Sequence, residues 1–489
     1  MAKTYSFPIP RALPLGLSAS CILLLASFSG GATRNRGGLL EALNIGFLSY
    51  GHGRNLGLAL YWVGIFLLAA AWVLAGRTII RPQLKNPLPE GGLRDIQRIL
   101  IAWVAPLLLA GPLASRDVYS YLMQGAMVRD GFDPYTEGAA VNPGPFLLEV
   151  SQDWRNTTTP YGPLHLWIGE LVTSLVGDNV TAGVVIYKVL SLLGFVTIAW
   201  SIPRIARKLG ADPAVALWLG VANPVIIVHL IGGMHNESLM VGLVSIGLLA
   251  ALHKRFHAAL ILVGTAVAMK ATAVIAAPFI VWMMLHHYAP KGSSKWRQLA
   301  VFVLSGIAAV AFITWVSGTS WGWLSQVSGN SKVINPLAGP TLATDIIFPA
   351  VQIFMPDAYY NAILAVLRSI AMACMLIGLV AVWWLCRKDN RDAIMGTAAA
   401  YQVAFVFNAV TLPWYYASIF TLMGTFRPPL WLIKFTTGVA LFIGVSFSGD
   451  GNHQLYNWFW VIGMIVVVWF ATQWIFEGVP KKRQPARAE

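Results

Sequence analysis

The longest polar interruption in this apolar chain covers residues 115–165. Near its start, Asp117, Tyr121 and Gln124 follow at i, i+4 and i+7, a spacing that places them on one face of a predicted helix over 117–129. A carboxylate there can act as a general base that takes a proton from a hydroxyl during displacement at a sugar carbon. The alternative is structural, because an acidic residue in the first turn of a helix also complements the helix dipole.

Other residues of this segment are candidates for contacts with a sugar or a phosphate. Arg116 can fix the charge state of Asp117 or bind a phosphate. Asp133 and Asp153, with aromatic neighbours and with Tyr161, form a mixture that suits a hydroxyl-rich ligand. Asp133 precedes a proline, however, and Asp before Pro is also typical of a turn. Both interpretations stay open from the sequence.

Three polar residues, His235, Asn236 and Glu237, follow two glycines at the point where two apolar runs meet. A carboxylate at the start of a membrane helix is costly if it faces lipid, so Glu237 is expected to face a cavity or a partner. The structural alternative is that Asn236 caps the helix and Glu237 complements its dipole. His235 is a candidate for stabilising a phosphate.

Lys270 lies between two short apolar stretches, with no acidic neighbour in sequence, and Trp414 and Tyr415 lie in another short polar interruption. A cation at the outer end of membrane helices is a natural partner for a phosphate, although a lysine that snorkels from a helix end has the same pattern. The aromatic pair can stack on a sugar or an isoprenoid, or can belong to an interfacial belt.

The predicted site therefore has three groups of residues. The candidate catalytic base is Asp117, and the candidates for contacts with a phosphate are Lys270, Arg116 and His235. The predicted substrate-binding residues are Tyr121, Asp133, Asp153, Tyr161, Asn236, Glu237, Trp414 and Tyr415.

The composition is that of a polytopic membrane protein, because 57% of the 489 residues are hydrophobic and only 11% are charged, against roughly a quarter in soluble proteins. The net charge of +14 comes from short basic clusters between apolar runs, which is typical of cytoplasmic loops and argues against nucleic-acid binding. The cysteines lack metal-ligand or disulfide spacing. Phosphate-binding glycine motifs and the H-E-x-x-H motif are absent from the sequence.

The apolar runs predict an all-α bundle of about 12 to 14 membrane-spanning helices in a single integral membrane domain over residues 1–489. Basic loops place both termini in the cytoplasm, and the segments 115–178 and 317–358 outside. The topology stays consistent if 162–177 does not cross but forms an interfacial or re-entrant helix. The loop 32–55, which contains three arginines, breaks the charge rule.

Several motifs together resemble the GT-C membrane glycosyltransferases. They are Tyr-Gly-Pro-Leu at 161–164, Arg-Ile-Ala-Arg-Lys-Leu-Gly at 204–210, Gly-Gly-Met-His-Asn-Glu at 232–237 and Met-Lys-Ala-Thr-Ala at 269–273. Within that family the chain is most similar to the actinobacterial polyprenyl-phosphate-mannose-dependent α-1,6-mannosyltransferases, which build the mannan of lipomannan and lipoarabinomannan. The resemblance covers roughly residues 55–475.

This resemblance implies an inverting mannosyltransferase of the bacterial plasma membrane, with a polyprenyl-phosphate mannose donor, a lipid-anchored mannoside acceptor and an extracytoplasmic active site. It assigns the base to Asp117 and the phosphate partner to Lys270. Two departures from the family pattern stand out. Arg116 precedes Asp117 where many relatives have a paired acidic motif, which leaves a divalent metal open, and Glu237 stands in place of an aspartate, which shifts the carboxylate by one methylene. No other cofactor is expected. The alternatives are a polyprenyl-phosphate-arabinose-dependent arabinofuranosyltransferase and a lipid-linked sugar transporter or flippase.

Overall fold

The computed structural model describes residues 10–87, 92–288, 294–326 and 333–480. Within these ranges the regular structure is helical, apart from one isolated bridge between Phe447 and His453. The predicted all-α class is therefore confirmed. The ends of the chain, which the sequence places in the cytoplasm, and residues 327–332 of the second predicted outer segment lie outside the described residues.

The helices of the front part are α1 (Ala12–Ser27), α2 (Leu39–Ala42), α3 (Gly51–Ala75), α4 (Arg81–Lys85), α5 (Leu93–Leu107), α6 (Asp117–Arg129), α7 (Pro145–Glu149) and α8 (Pro163–Val176). The middle part contains α9 (Val180–Lys208), α10 (Pro213–Gly220), α11 (Pro224–Ile226), α12 (Glu237–Leu252), α13 (Phe256–Met269), α14 (Ala277–Tyr288) and α15 (Ser294–Val316). The back part contains α16 (Trp323–Gln326), α17 (Gly339–Phe354), α18 (Tyr360–Leu385), α19 (Asn390–Phe407), α20 (Ala417–Met423), α21 (Leu430–Gly444) and α22 (Trp458–Ile475). Short 3-10 or π segments cover Gly46–Ser49, Gly76–Ile80, Ala139–Val141, Gln152–Trp154, Ile227–Gly232, Ala271–Ala276 and Pro413–Tyr416.

In the described part of the chain, six helical stretches are long and apolar enough to cross a membrane: Gly51–Lys85, Val180–Lys208, Ala271–Tyr288, Trp296–Val316, Tyr360–Leu385 and Trp458–Ile475. A seventh results if Pro213–Gly220 and Pro224–Gly232, which meet at 54°, form one span. Five apolar helices are shorter: Ala12–Ser27, Pro163–Val176, Glu237–Leu252, Phe256–Met269 and Leu430–Gly444. The protein is thus a polytopic all-α membrane protein.

The long helices are fewer than the predicted 12 to 14 spans because polar residues break several apolar runs. Asn223 accepts a hydrogen bond from the backbone amide of Ile226 at 3.0 Å and starts a new helix before Pro224. Lys270 has extended backbone angles, φ −154° and ψ 124°, and separates α13 from the next helical turn. Such breaks within a membrane protein are tolerated where other protein groups satisfy the backbone.

Helix α8 has 14 residues and is about 21 Å long, which is less than the roughly 30 Å of a hydrocarbon core. It packs closely against α6 through two glycines. A Cβ atom on Gly125 would lie 2.2 Å from the carbonyl carbon of Gly169, so only hydrogen fits between the two backbones. This close packing places α6, with Asp117 at its first position, directly against the segment that begins at Gly162.

The two ends of the long helical stretch over 51–85 have different partners. At one end Arg54 forms an ion pair with Asp450 at 3.0 Å. About 40 Å further along the axis, Arg81 donates to the carbonyl of Glu477 at 2.6 Å. The backbone amide of Ala114 donates to the carbonyl of Gly449 at 2.6 Å, so the segment that leads to Asp117 lies at the Asp450 end.

Candidate active site

The segment before α6 is held by backbone hydrogen bonds to two distant parts of the chain. The amide of Leu113 donates to the carbonyl of Gly232 at 3.1 Å, and Ala114, which has a φ of +59°, donates to Gly449. Ser115 then accepts a hydrogen bond from the amide of Asp117 at 3.1 Å. These contacts fix the first turn of α6 beside the Gly-Gly-Met-His-Asn-Glu segment.

Asp117 faces a buried histidine and a tyrosine. Its Oδ2 atom lies 3.4 Å from Nδ1 of His235 and 3.5 Å from the hydroxyl of Tyr121. The Asp117 side chain keeps 15% of its surface exposed, whereas that of His235 has none. The ring of His235 stacks on Trp414, with centroids 3.6 Å apart and planes 16° apart. Asp117, His235 and Trp414, which are far apart in sequence, are therefore linked in one chain of contacts.

The electrostatic surroundings keep Asp117 ionised. Burial raises the pKa of the Asp117 carboxyl, but the contact with His235, the charge of Lys270 and the hydroxyl of Ser115 lower it. The net effect holds this pKa below its ordinary value of 3.8. At neutral pH Asp117 is thus a carboxylate that can accept a proton.

Lys270 and Glu237, the second acidic candidate, form a buried ion pair. The ammonium also lies 4.3 Å from the ring centre of Tyr415 and 5.5 Å from that of Tyr161, distances at which cation–π attraction acts. Among the described residues, Oε2 of Glu237 has no hydrogen-bond partner. The expectation that Glu237 faces a cavity or a partner agrees with this arrangement.

His165 joins several predicted residues, although the sequence did not single it out. Its Nε2 lies 3.2 Å from Oε1 of Gln124, and its Nδ1 lies 3.3 Å from the amide nitrogen of Asn236. The amide group of Asn236 donates, so a neutral imidazole protonated at Nε2 satisfies both contacts. The ring also packs on Tyr121 and Tyr161, with centroids 4.7 and 4.4 Å away. Asn236 therefore contacts His165 and does not cap its own helix with its side chain.

A cavity lies over Asp117. Its walls come from α6, from the segment 154–161 and from the segment 410–415, and they combine hydroxyl, amide and aromatic groups. The lining residues are Asp117, Ser120, Gln124, Trp154, Thr157, Thr158, Pro160, Tyr161, Val333, Val410, Leu412, Trp414 and Tyr415. Trp154 is the aromatic neighbour of Asp153 that the sequence indicated. Sequence reasoning missed Thr157 and Thr158, because their spacing carries no signal until the loop folds back over α6.

Three predicted residues do not join this cluster. Arg116 donates to Oε2 of buried Glu149 at 2.9 Å and to the carbonyl of Thr33 at 2.6 Å, so its guanidinium ties two loops together and does not face the cavity. Asp133 accepts from the amide of Tyr135 at 2.9 Å, which is the turn geometry of the alternative interpretation. Asp153 is exposed and contacts Ser151 at 3.3 Å.

The aromatic pair at 414–415 belongs to the buried cluster. The residues lie in the 3-10 helix Pro413–Tyr416, Trp414 is 7% exposed, and its ring covers His235. An interfacial aromatic belt would instead leave the ring at the protein surface. The placement brings Trp414 and Tyr415 to the lining of the same cavity as Asp117.

The acidic residues of the site do not form a recognisable metal-binding set. Within the described ranges, no group of three or more His, Cys, Asp or Glu side chains could hold a metal ion. Asp117 faces His235, and Glu237 faces Lys270, so each carboxylate has a nitrogen-bearing partner.

Comparison with known proteins links the chain to one enzyme family. Residues 13–286 match the model of the alpha-(1->6)-mannopyranosyltransferase N-terminal domain, and residues 340–476 match that of the MptB C-terminal domain. Alpha-(1->6)-mannopyranosyltransferase A of Corynebacterium glutamicum is 57% identical over 472 residues, covering 93% of this chain and 96% of the relative. The protein of the same name from Mycobacterium tuberculosis is 35% identical over 455 residues, covering 91% and 86%.

Proposed function

Since this chain belongs to the alpha-(1->6)-mannopyranosyltransferase family and is a membrane mannosyltransferase, we propose that it transfers mannose from polyprenyl-phosphate mannose to the α-1,6-mannan backbone of lipomannan and lipoarabinomannan. The observation that carries the proposal is the meeting of Asp117 and Lys270 in one buried cluster below a polar, aromatic cavity. A carboxylate base and a cation are the two groups that transfer from a sugar phosphate requires.

In the proposed step, the accepting hydroxyl of the mannan enters the cavity beside Asp117. Its oxygen attacks the anomeric carbon of the donor mannose while the bond from that carbon to the phosphate oxygen breaks. The hydroxyl proton passes to the Asp117 carboxylate, which its surroundings keep ionised. A single displacement of this kind inverts the configuration at the anomeric carbon. His235, stacked on Trp414, orients the carboxylate from its other side.

The leaving group is a polyprenyl phosphate, which takes the bonding electron pair and gains negative charge. Lys270 is the cation assigned to this phosphate, and Glu237 and the faces of Tyr415 and Tyr161 hold its ammonium in place. A cation fixed before the reaction stabilises charge that develops in the transition state without reorganising the site. Arg116 has no part in this step because it is bound to Glu149.

We assign the site to the extracytoplasmic face of the plasma membrane. The segment before Asp117 lies at the Asp450 end of the helical stretch 51–85, and Arg81 lies at the opposite end. Basic residues concentrate on the cytoplasmic side of membrane proteins, so the Arg81 end is assigned to the cytoplasm. On this assignment the segments 115–178 and 317–358 are extracytoplasmic, with the donor reaching the site from the outer leaflet.

The donor is tested by incubating the purified protein with radiolabelled polyprenyl-phosphate mannose or polyprenyl-phosphate arabinose and a short α-1,6-mannoside acceptor. We expect label to enter the acceptor from the mannose donor and not from the arabinose donor. Transfer of arabinose alone would replace the proposal with an arabinofuranosyltransferase. If the protein moved labelled lipid across liposomes and formed no glycosidic bond, it would be a transporter.

A further inference from the structure

A buried lysine lies next to the site but outside the steps assigned above. Lys188, on the long helix α9, is 5% exposed. Its ammonium donates to the carbonyl of Ile231 at 2.7 Å and lies 3.5 Å from that of Gly232. These are the last two residues of the π-helical segment Ile227–Gly232, which leads directly into His235.

The two carbonyls belong to the junction that joins the two halves of the site. Gly232 also accepts the hydrogen bond from Leu113, four residues before Asp117. Beyond it, Met234 has a φ of +54°, a backbone conformation that non-glycine residues rarely adopt, and His235 follows at once. Gly232 is therefore connected to the segment before Asp117 on one side and to His235 on the other.

Burying the charge of Lys188 at this position is costly unless other groups compensate it. In the described part of the chain no carboxylate forms an ion pair with Lys188, and its contacts are with backbone carbonyls. Charged side chains within membrane helices are expensive and mark functional positions. The end of a helical segment, however, presents carbonyls without partners and a partial negative charge, which a lysine complements.

We propose that Lys188 is a positioning residue for mannosyl transfer, which anchors the end of the segment 227–232 so that His235 stays 3.4 Å from the Asp117 carboxylate. The proposal rests on the role of Asp117 given above. Lys188 does not contact the cavity, so it acts through His235 and the backbone. Removing its ammonium takes this donor from the buried carbonyl of Ile231, whereas Gly232 keeps the hydrogen bond from Leu113, and the end of the segment shifts to find a new partner.

The test is a double-mutant cycle between Lys188→Met and His235→Ala, measured as kcat per folded protein. Displacing a catalytic contact by about 1 Å costs on the order of 100-fold in rate, so we expect Lys188→Met to lower kcat by about 10- to 100-fold. In the His235→Ala background the same substitution should lower kcat by a clearly smaller factor, because the part of its effect that passes through His235 is already absent.

Lys434→Met is the matched control. Lys434 also lies on an apolar helix, α21, but it donates to the side-chain oxygen of Gln473 at 3.0 Å. Its replacement should leave kcat per folded protein within about 2-fold, since neither residue contacts the site. If Lys188→Met is not recovered in folded form, the cycle is run with Lys188→Arg, whose longer side chain displaces the same carbonyls.

Equal losses of kcat in the wild-type and His235→Ala backgrounds would overturn the positioning role, as would full activity of the Lys188 variant. The proposed function is judged separately by the wild-type protein in the same assay. Wild-type transfer without coupling between Lys188 and His235 contradicts only the inference about Lys188. Absence of transfer by the wild-type protein contradicts the proposed function.

Discussion

The Glu237–Lys270 pair allows stability and activity to be separated by mutation. The Glu237 side chain is 1% exposed and that of Lys270 is 9% exposed, so water compensates neither charge. Removing one partner of a buried ion pair costs about 3 to 5 kcal/mol. In Glu237→Gln, the faces of Tyr415 and Tyr161 still attract the ammonium by about 1 to 2 kcal/mol, so we expect a net loss near 3 kcal/mol. In Lys270→Met the Glu237 carboxylate has no comparable attraction to an aromatic ring, and the free energy of unfolding should fall by about 4 kcal/mol.

The double variant Glu237→Gln/Lys270→Met removes both charges. Its unfolding free energy, measured in detergent micelles by far-UV circular dichroism, should return to within about 1 kcal/mol of the wild-type value. Transfer should not return, because the phosphate still lacks its cation, and we expect kcat at least about 100-fold below wild type. Lys434→Met serves as the control for loss of a lysine from an apolar helix.

Two results would refute this reasoning. If the double variant were as unstable as the sum of the single variants, the two residues would not form a pair that compensates buried charge. If the double variant transferred mannose at the wild-type rate, Lys270 would have no role at the phosphate, and Glu237 and Lys270 would serve only the fold.

Further predictions concern the base and the packing around it. The pKa of Asp117 in the folded protein lies below its ordinary value of 3.8. The ionised carboxylate therefore stabilises the fold at pH values above the pKa of the unfolded chain, and this stability is lost as the pH falls through the lower pKa of the folded protein. Because Asp117 stays ionised in mild acid, mannosyl transfer should persist there. His235→Ala removes an interaction that lowers the pKa of Asp117, so the acid limb of kcat/KM should move to higher pH; an unchanged limb would contradict the assigned contact. Gly125→Ala should destabilise the protein by about 1 to 3 kcal/mol in thermal unfolding. The control Gly144→Ala should be neutral, because its added methyl group meets nothing within 4 Å. Equal effects of the two substitutions would contradict the close packing of α6 on α8. Glu149→Gln should lower the free energy of unfolding by about 3 kcal/mol and leave kcat per folded protein within about 3-fold, because buried Glu149 binds Arg116 away from the cavity. A loss of kcat without a loss of stability would show that Arg116 takes part in transfer.

The helical class and several residues of the candidate site could be predicted because each depends on local sequence. Apolar runs identify membrane helices, and polar residues at their ends, such as His235 and Lys270, are too costly in lipid to be incidental. The number of long helices could not be predicted in the same way. Hydrophobicity does not show where a run is divided, and the divisions at Asn223 and Lys270 depend on backbone contacts made in the folded protein.

The partners of the charged residues also depended on the fold. Arg116 is adjacent to Asp117 in sequence, yet its side chain points to Glu149, which is 33 residues away. Neighbouring residues on a helix do not face each other, so adjacency was a poor guide to a shared site. Lys270 and Glu237 pair across a similar separation, and no local pattern identifies the two as partners.

In the proposed transfer, Asp117 takes the proton from the accepting hydroxyl. The most direct measurement is mannosyl transfer by purified Asp117→Asn protein, compared with wild type at equal amounts of folded protein and saturating polyprenyl-phosphate mannose. Asparagine keeps the size of the side chain and cannot serve as the base, so we predict a fall in kcat of about 100-fold or more, with the protein still folded and still binding the donor. Turnover near the wild-type rate would contradict the claim.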